Sequence, residues 1–199
     1  DLSSFNTAQV IDMNGMFAYC TSLSLIELKS FNTEKVTKMS KMFRSCSSLK
    51  ELNINHFNTK NVQDMASMFE GCSSLKSLDI TNFDTSKTNN MSFLFNSLNS
   101  LSSLDLTHFQ TNNVVNMSNM FSYSKALTSL NIANFNTEVV LDMSSMFQYC
   151  TKITSLDISS FDTRKVKYMQ FMFAYSSNMK FVEFKFDTSE VEDMSSMNR

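Results

Sequence analysis

Apolar residues return along this chain at fixed places in a 26-residue period. Phe5, Phe31, Phe57, Phe83, Phe109, Phe135 and Phe161 mark it, and Phe186 follows after 25 residues. Numbering each unit from 1 at its Phe, apolar side chains occupy positions 6, 9, 12, 13 and 16, as in Val62, Met65, Met68, Phe69 and Cys72. Steps of three and four put them on one face of a helix. Thr stands at position 3 in every unit, from Thr7 to Thr188, and suits the N-cap of that helix. Positions 22 and 24 (Leu78, Ile80) flank a polar position 23, the alternation of a short strand. Each unit therefore predicts one strand and one helix of about three turns.

Tandem units of this length cannot bury their apolar faces alone, and they stack. The expected fold is a single α/β solenoid over residues 1–199, with right-handed crossovers. A parallel sheet would line its concave face and helices its convex face. Rows of Phe, Val, Met, Cys, Leu and Ile would form the core. Asp1 falls at position 23 and Arg199 at position 14, both inside expected elements, and no polar cap flanks either end. Met179, Phe181 and Phe184 make the last strand unusually apolar. The chain is accordingly expected to be part of a longer protein and to self-associate through its ends.

Composition follows from the repeat. Eight Met at position 9 and seven at position 12 account for all but Met179 of the 16, and positions 1 and 13 hold 15 of the 19 Phe. With no Pro and only two Gly, glycine-rich phosphate loops are excluded. Net charge is −2, which gives no electrostatic footprint for nucleic acid. No apolar run is long enough to make a transmembrane segment.

The phrase F-N-T-x-x-V-x-x-M-x-x-M-F-x-x-C-x-S-L-x-x-L-D-I, followed by the Phe of the next unit where most leucine-rich repeats carry Asn, resembles the BspA-like leucine-rich repeats. These occur in surface proteins and lipoproteins of AT-rich bacteria such as mycoplasmas, and in some protists. The resemblance covers the whole chain. It implies a leucine-rich horseshoe, an extracellular or cell-surface location and binding of host or matrix proteins. It implies no catalytic residue and no cofactor.

The remaining chemistry is sparse. Cys20, Cys46, Cys72 and Cys150 share position 16 with Leu98, Ser124 and Ser176, a substitution pattern of a small core site holding free thiols. The M-x-x-M pairs lie on the inward face and read as core, not as a soft-metal site. His56 and His108 both fall at position 26, two units apart, too far to share a metal, and read as solvated loop residues. No nucleophile–base arrangement recurs, so no enzyme, metal or cofactor is expected.

Two rows stand out instead. Position 23 is always an acid or an amide, and Asp79, Asp105 and Asp157 project from the expected concave face beside Ser77, Ser103, Ser129 and Ser155 at position 21. This polar row is the candidate partner-binding surface, and local turn bonding is its plainer explanation. Tyr123, Tyr149 and Tyr175 occupy position 15 in consecutive units, with Tyr19 further back, and form a candidate secondary contact row. The expected function is a non-enzymatic surface binding or adhesion module for a protein or glycan. The alternative is a structural solenoid that assembles end to end into a filament or layer. Local charge excesses, basic over residues 35–50 and acidic over residues 187–193, would favour such head-to-tail contact.

Overall fold

The structure is a computed structural model, and it describes residues 2–180 and 186–198. Each repeat forms one coil, and successive coils stack in parallel. Position 8 links them all, through single parallel bridges from Asp12–Lys38 and Lys38–Asp64 onward to Tyr168–Asp193. Positions 21–23 reach formal strand geometry in two adjacent coils, β1 (Ser103–Asp105) and β2 (Ser129–Asn131), paired with Leu104 opposite Leu130. Asp1, Phe181, Glu183 and Phe184, which the sequence places in strands, lie outside the described residues.

Among the described residues the expected helices are not there: positions 9–16 form a ribbon of tandem turns. Two sets of backbone bonds alternate along it. In the second coil the amides of Met42, Arg44 and Cys46 donate to carbonyls three residues back. The amides between them, on Met39, Lys41, Phe43 and Ser45, donate to Asp64, Ala66, Met68 and Glu70 of the next coil. A helix would direct every amide to its own chain four residues back, leaving nothing to join the coils. The ribbon reverses through left-handed residues at positions 11 and 15, where φ is positive in Lys41, Ser45, Ser67, Phe93, Ser97 and their equivalents. Positive φ at the third residue of a turn marks type II geometry and ends any helix. Gly15 and Gly71, the only glycines, stand at positions 11 and 15 with φ of 63° and 72°. The expected convex helical layer is thus a layer of turns, and the most continuous parallel ladder lies there, not at positions 21–23.

The core matches the apolar rows. Val36, Met39, Met42, Phe43, Cys46, Leu49 and Ile54 are fully buried, and so are their counterparts in the central coils. Position-13 rings stack from coil to coil, with Phe43, Phe69, Phe95, Phe121, Phe147 and Phe173 at 5.5–6.1 Å between centroids. Offset stacking at this distance adds to the burial of each ring.

Thr at position 3 is not an N-cap. Thr85 Oγ donates to the Gln110 carbonyl (3.0 Å) and accepts from the Gln110 amide (2.8 Å), spanning to the next coil. The same two-way rung joins Thr7 to Asn32, Thr33 to Asn58, Thr59 to Asp84, Thr111 to Asn136 and Thr137 to Asp162. Many corners of the coils are Asx turns. At position 2 the Asn58 side chain accepts the Lys60 amide, at position 8 Asp64 accepts the Ala66 amide, and at position 23 Asp79 accepts the Thr81 amide. Side-chain acceptors thus make the turns that Gly and Pro make elsewhere, which is why the chain needs so few of them.

Candidate binding surface

Where position 23 lies between two buried neighbours, its side chain is exposed. Leu104 and Leu106 are buried around Asp105, and Leu156 and Ile158 around Asp157. Asp79, Asp105, Asp157, Ser77, Ser103, Ser129 and Ser155 are all exposed, and parallel pairing of Ser103 with Ser129 and Asp105 with Asn131 runs two rows across the coils. Asn131 separates Asp105 from Asp157, so the two carboxylates are not adjacent.

The acids are anchored. Asp79 Oδ1 accepts the Thr81 hydroxyl (2.8 Å) and amide (3.2 Å). Asp105 accepts the same two groups of Thr107, and Asp157 those of Ser159. These bonds hold the carboxylates below the usual aspartate range, the hydroxyl contributing most at Asp79 and Asp157 and the backbone amide most at Asp105. The partner residues at position 25 were missed by sequence reasoning, although D-x-T and D-x-S at 79–81, 105–107 and 157–159 carry the signal. In this face the carboxylates stay ionised, point-fixed and able to accept hydrogen bonds through Oδ2, which takes no hydrogen bond from the described residues.

The tyrosine row is a stack. Tyr123 and Tyr149 lie 4.6 Å apart, and Tyr149 and Tyr175 lie 4.5 Å apart. Tyr123 and Tyr175 are exposed, with Tyr149 between them, and desolvation pushes the Tyr149 phenol up. Lys125 Nζ lies 5.7 Å from both the Tyr123 and the Tyr149 ring. Tyr19 is separate and carries the Arg44 guanidinium over its ring at 5.6 Å.

The other candidates are structural. Cys46, Cys72 and Cys150 donate through Sγ to the Phe17, Phe43 and Phe121 carbonyls of the preceding coil, where Ser124 and Ser176 donate their hydroxyls to Phe95 and Phe147. All four cysteines are free, and Cys20 is exposed. Burial pushes the Cys72 and Cys150 thiols up to about 12 and the Cys46 thiol up to about 11. His56 is exposed and His108 half-buried, and both are tied to the preceding coil. Each donates Nε2–H to a carbonyl one coil back, Leu28 at 3.1 Å and Ile80 at 2.9 Å, and packs edge-on against the next Phe. A shallow open groove of about 520 Å³ runs over Lys35, Lys60 and Lys87 beside Glu34. Lys35 and Lys87 there already bond Gln9 and Asn61.

With the coil and its exposed rows defined, comparison places the chain among known sequences. A family described as "Mycoplasma protein of unknown function, DUF285" matches residues 1–104 and 90–199, and the two matches together cover the whole length. The chain belongs to the DUF285 family. Among curated proteins, none matches this DUF285 chain. A leucine-rich cell surface protein from Faecalibacterium prausnitzii A2-165 is similar in structure, with a TM-score of 0.52 and 21% identity. The alignment covers 80% of the DUF285 chain and 38% of the other, so the chain spans well under half that protein's length. The T. pallidum leucine-rich repeat protein aligns with a TM-score of 0.46 and 18% identity, over 76% of this chain and 75% of that one. The likeness to the Faecalibacterium protein shows a leucine-rich repeat fold for this DUF285 member, which meets the expectation drawn from the BspA-like phrase at the level of the fold. Among its described residues no helix is long and apolar enough to cross a membrane.

Proposed function

We propose that the chain is a non-enzymatic binding or adhesion module of a surface protein, which meets a protein or glycan partner with the face bearing positions 21 and 23. The observation that carries this reading is the exposure of seven small polar side chains in two rows. Asp79, Asp105 and Asp157 are prefixed by their own turns, so binding would not have to order them. A fixed row of acceptors spanning several coils suits an extended partner, as in other repeat proteins. The cell-surface protein that shares the fold supports the location. Tyr123, Tyr149 and Tyr175 are a secondary contact row in this reading.

The test replaces all three acids with Asn, which keeps the Oδ1 acceptor of the turn and removes the charge. Wild-type and Asp79→Asn/Asp105→Asn/Asp157→Asn proteins are compared for binding to immobilised matrix proteins and glycans. Binding to whichever surface retains the wild type should fall by about tenfold or more while the protein stays folded, as checked by a cooperative thermal melt. Equal retention of the two proteins would remove this face from the function.

A further inference from the structure

One edge of the solenoid carries a further backbone ladder. At position 7 the amide donates to the position-7 carbonyl of the coil before it, as in Val115 to Asn89 (2.8 Å), Leu141 to Val115 (2.9 Å) and Lys167 to Leu141 (2.8 Å). Residues of this row therefore stand side by side, about 4.8 Å apart from coil to coil. In the second to fourth coils the row is polar, with Thr37, Gln63 and Asn89. It then turns apolar. Val115 is 39% exposed and Leu141 37%, and Tyr168, whose amide also reaches the Leu141 carbonyl (3.2 Å), is 38% exposed. Val140 is fully buried, so Val139 and Leu141 on either side of it both turn outward. Single exposed apolar side chains are ordinary on a protein surface, whereas several on adjoining rungs form a patch that marks a contact site.

The flanks of the patch decide what fits it. In the position-5 row Lys87 stands two coils before Val139, and Glu190 two coils after it. Both are exposed. Lys87 Nζ is held by a neutral group, the Asn61 side-chain oxygen at 2.8 Å, and the neighbouring Asp84 is taken up by Ser86 in its own turn. The Glu190 carboxylate takes no hydrogen bond from the described residues. Opposite charges thus lie at equal distances, about 9–10 Å, on either side of an apolar centre.

Such a row is complementary to itself turned end for end. A two-fold axis running across the coil at Leu141 sets Val139 and Leu141 against their own equivalents. It also sets Val115 against Tyr168 and the stem of Lys167, and Lys87 against Glu190 on both sides. Parallel copies would instead put Lys87 against Lys87 and Glu190 against Glu190, which repel. Glu138, exposed at position 4 of the central coil, comes near its own equivalent in the antiparallel pair, and Arg164 of the following coil is close enough to offset it.

We propose that two copies of the chain dock antiparallel along this edge, about a two-fold axis at Leu141. Positions 21 and 23 take no part, so the pair presents the acidic row twice, and loss of pairing leaves each row intact. The matched stretch is five coils, about 20 Å, at the small end of specific interfaces, which sets the expected affinity at micromolar or weaker.

Sedimentation equilibrium of the 199-residue protein, from micromolar to millimolar concentration, should follow a monomer–dimer isotherm that stops at two copies and weakens with added salt. Leu141→Asn puts at position 7 the residue that the fourth coil carries as Asn89, so the fold should persist, as checked by a cooperative thermal melt. Pairing of this variant should weaken by about tenfold or more. Lys87→Glu and Glu190→Lys should each weaken pairing by about threefold or more, because like charges then face each other. The double variant Lys87→Glu/Glu190→Lys reverses both partners and should restore pairing to within about twofold of wild type. The proposal is overturned by a protein that stays monomeric at millimolar concentration, or by association that continues past two copies. It is equally overturned by pairing that Leu141→Asn leaves unchanged, by single charge reversals without effect, or by a double variant no better than the single ones.

Discussion

At the scale of the residue, the side chain most tightly constrained is Thr at position 3. Its hydroxyl both donates to and accepts from the backbone of the following coil, and Thr85 is fully buried while doing so. Thr85→Val keeps the shape and leaves the amide and carbonyl of Gln110 without their part-buried partner, so it should destabilise the protein by about 1–3 kcal/mol. Thr85→Ser keeps both bonds and should cost only about 1 kcal/mol or less, through the lost methyl. Urea denaturation of the two variants checks this, and equal losses would mean the hydroxyl rung contributes little. In sequence this Thr is indistinguishable from an N-cap. Its real partner is 25 residues away, and only stacking brings it within reach.

At the scale of the element, the decisive feature is the turn ribbon of positions 9–16. Thirteen non-glycine residues take positive φ among the described residues, at about 1–2 kcal/mol each relative to ordinary backbone. The ribbon persists because each reversal frees amides to join the next coil. Lys41 is exposed with φ of 58°, so Lys41→Gly removes the steric penalty and loses little packing. Relief less the glycine entropy predicts a gain of about 0.5–1 kcal/mol. Gly71→Ala should cost about 1 kcal/mol, because the added Cβ meets Ser45 at an ordinary 3.4 Å and the penalty is one of φ. Thermal melts of both variants test the assignment, and the opposite pair of signs is what a helix would give. The two glycines were the legible signal for this geometry. They fall four residues apart in the unit, at 11 and 15, which no amphipathic helix requires.

At the scale of the whole molecule, acid stability follows from the turns. Asp79, Asp84, Asp105, Asp157, Asp187 and Asp193 are held below the ordinary aspartate range by Thr or Ser two residues on. Asp162 reaches about 2 through the side chain of Arg164 and its amide. Depressed folded values mean the unfolded chain binds protons first as pH falls. The contribution is complete above about pH 4 and is lost progressively toward pH 2. The urea midpoint should therefore drop between pH 4 and pH 2.5. The Asp79/Asp105/Asp157→Asn protein, which keeps the acceptor without the titration, should show a shallower drop. A midpoint that does not move over this range would show that the Asx turns form equally in the unfolded chain.

The sequence alone determined the repeat, its register and the inward rows, because burial of Phe, Met, Val and Leu every 26 residues admits only stacked units. It also marked position 23 as exposed, since Leu and Ile on either side must turn inward. It did not determine helix against turn ribbon. Val36, Met39, Met42, Phe43 and Cys46 point inward in both, so hydrophobic periodicity does not separate them. That choice belongs to the tertiary structure, because it depends on whether backbone amides bond within a coil or between coils, and the carbonyls of a second coil exist only in the stack. The stacking of the tyrosines was decided in the same way. A tyrosine row is visible in the sequence, but the 4.5–4.6 Å stacking of its rings exists only once the coils are assembled.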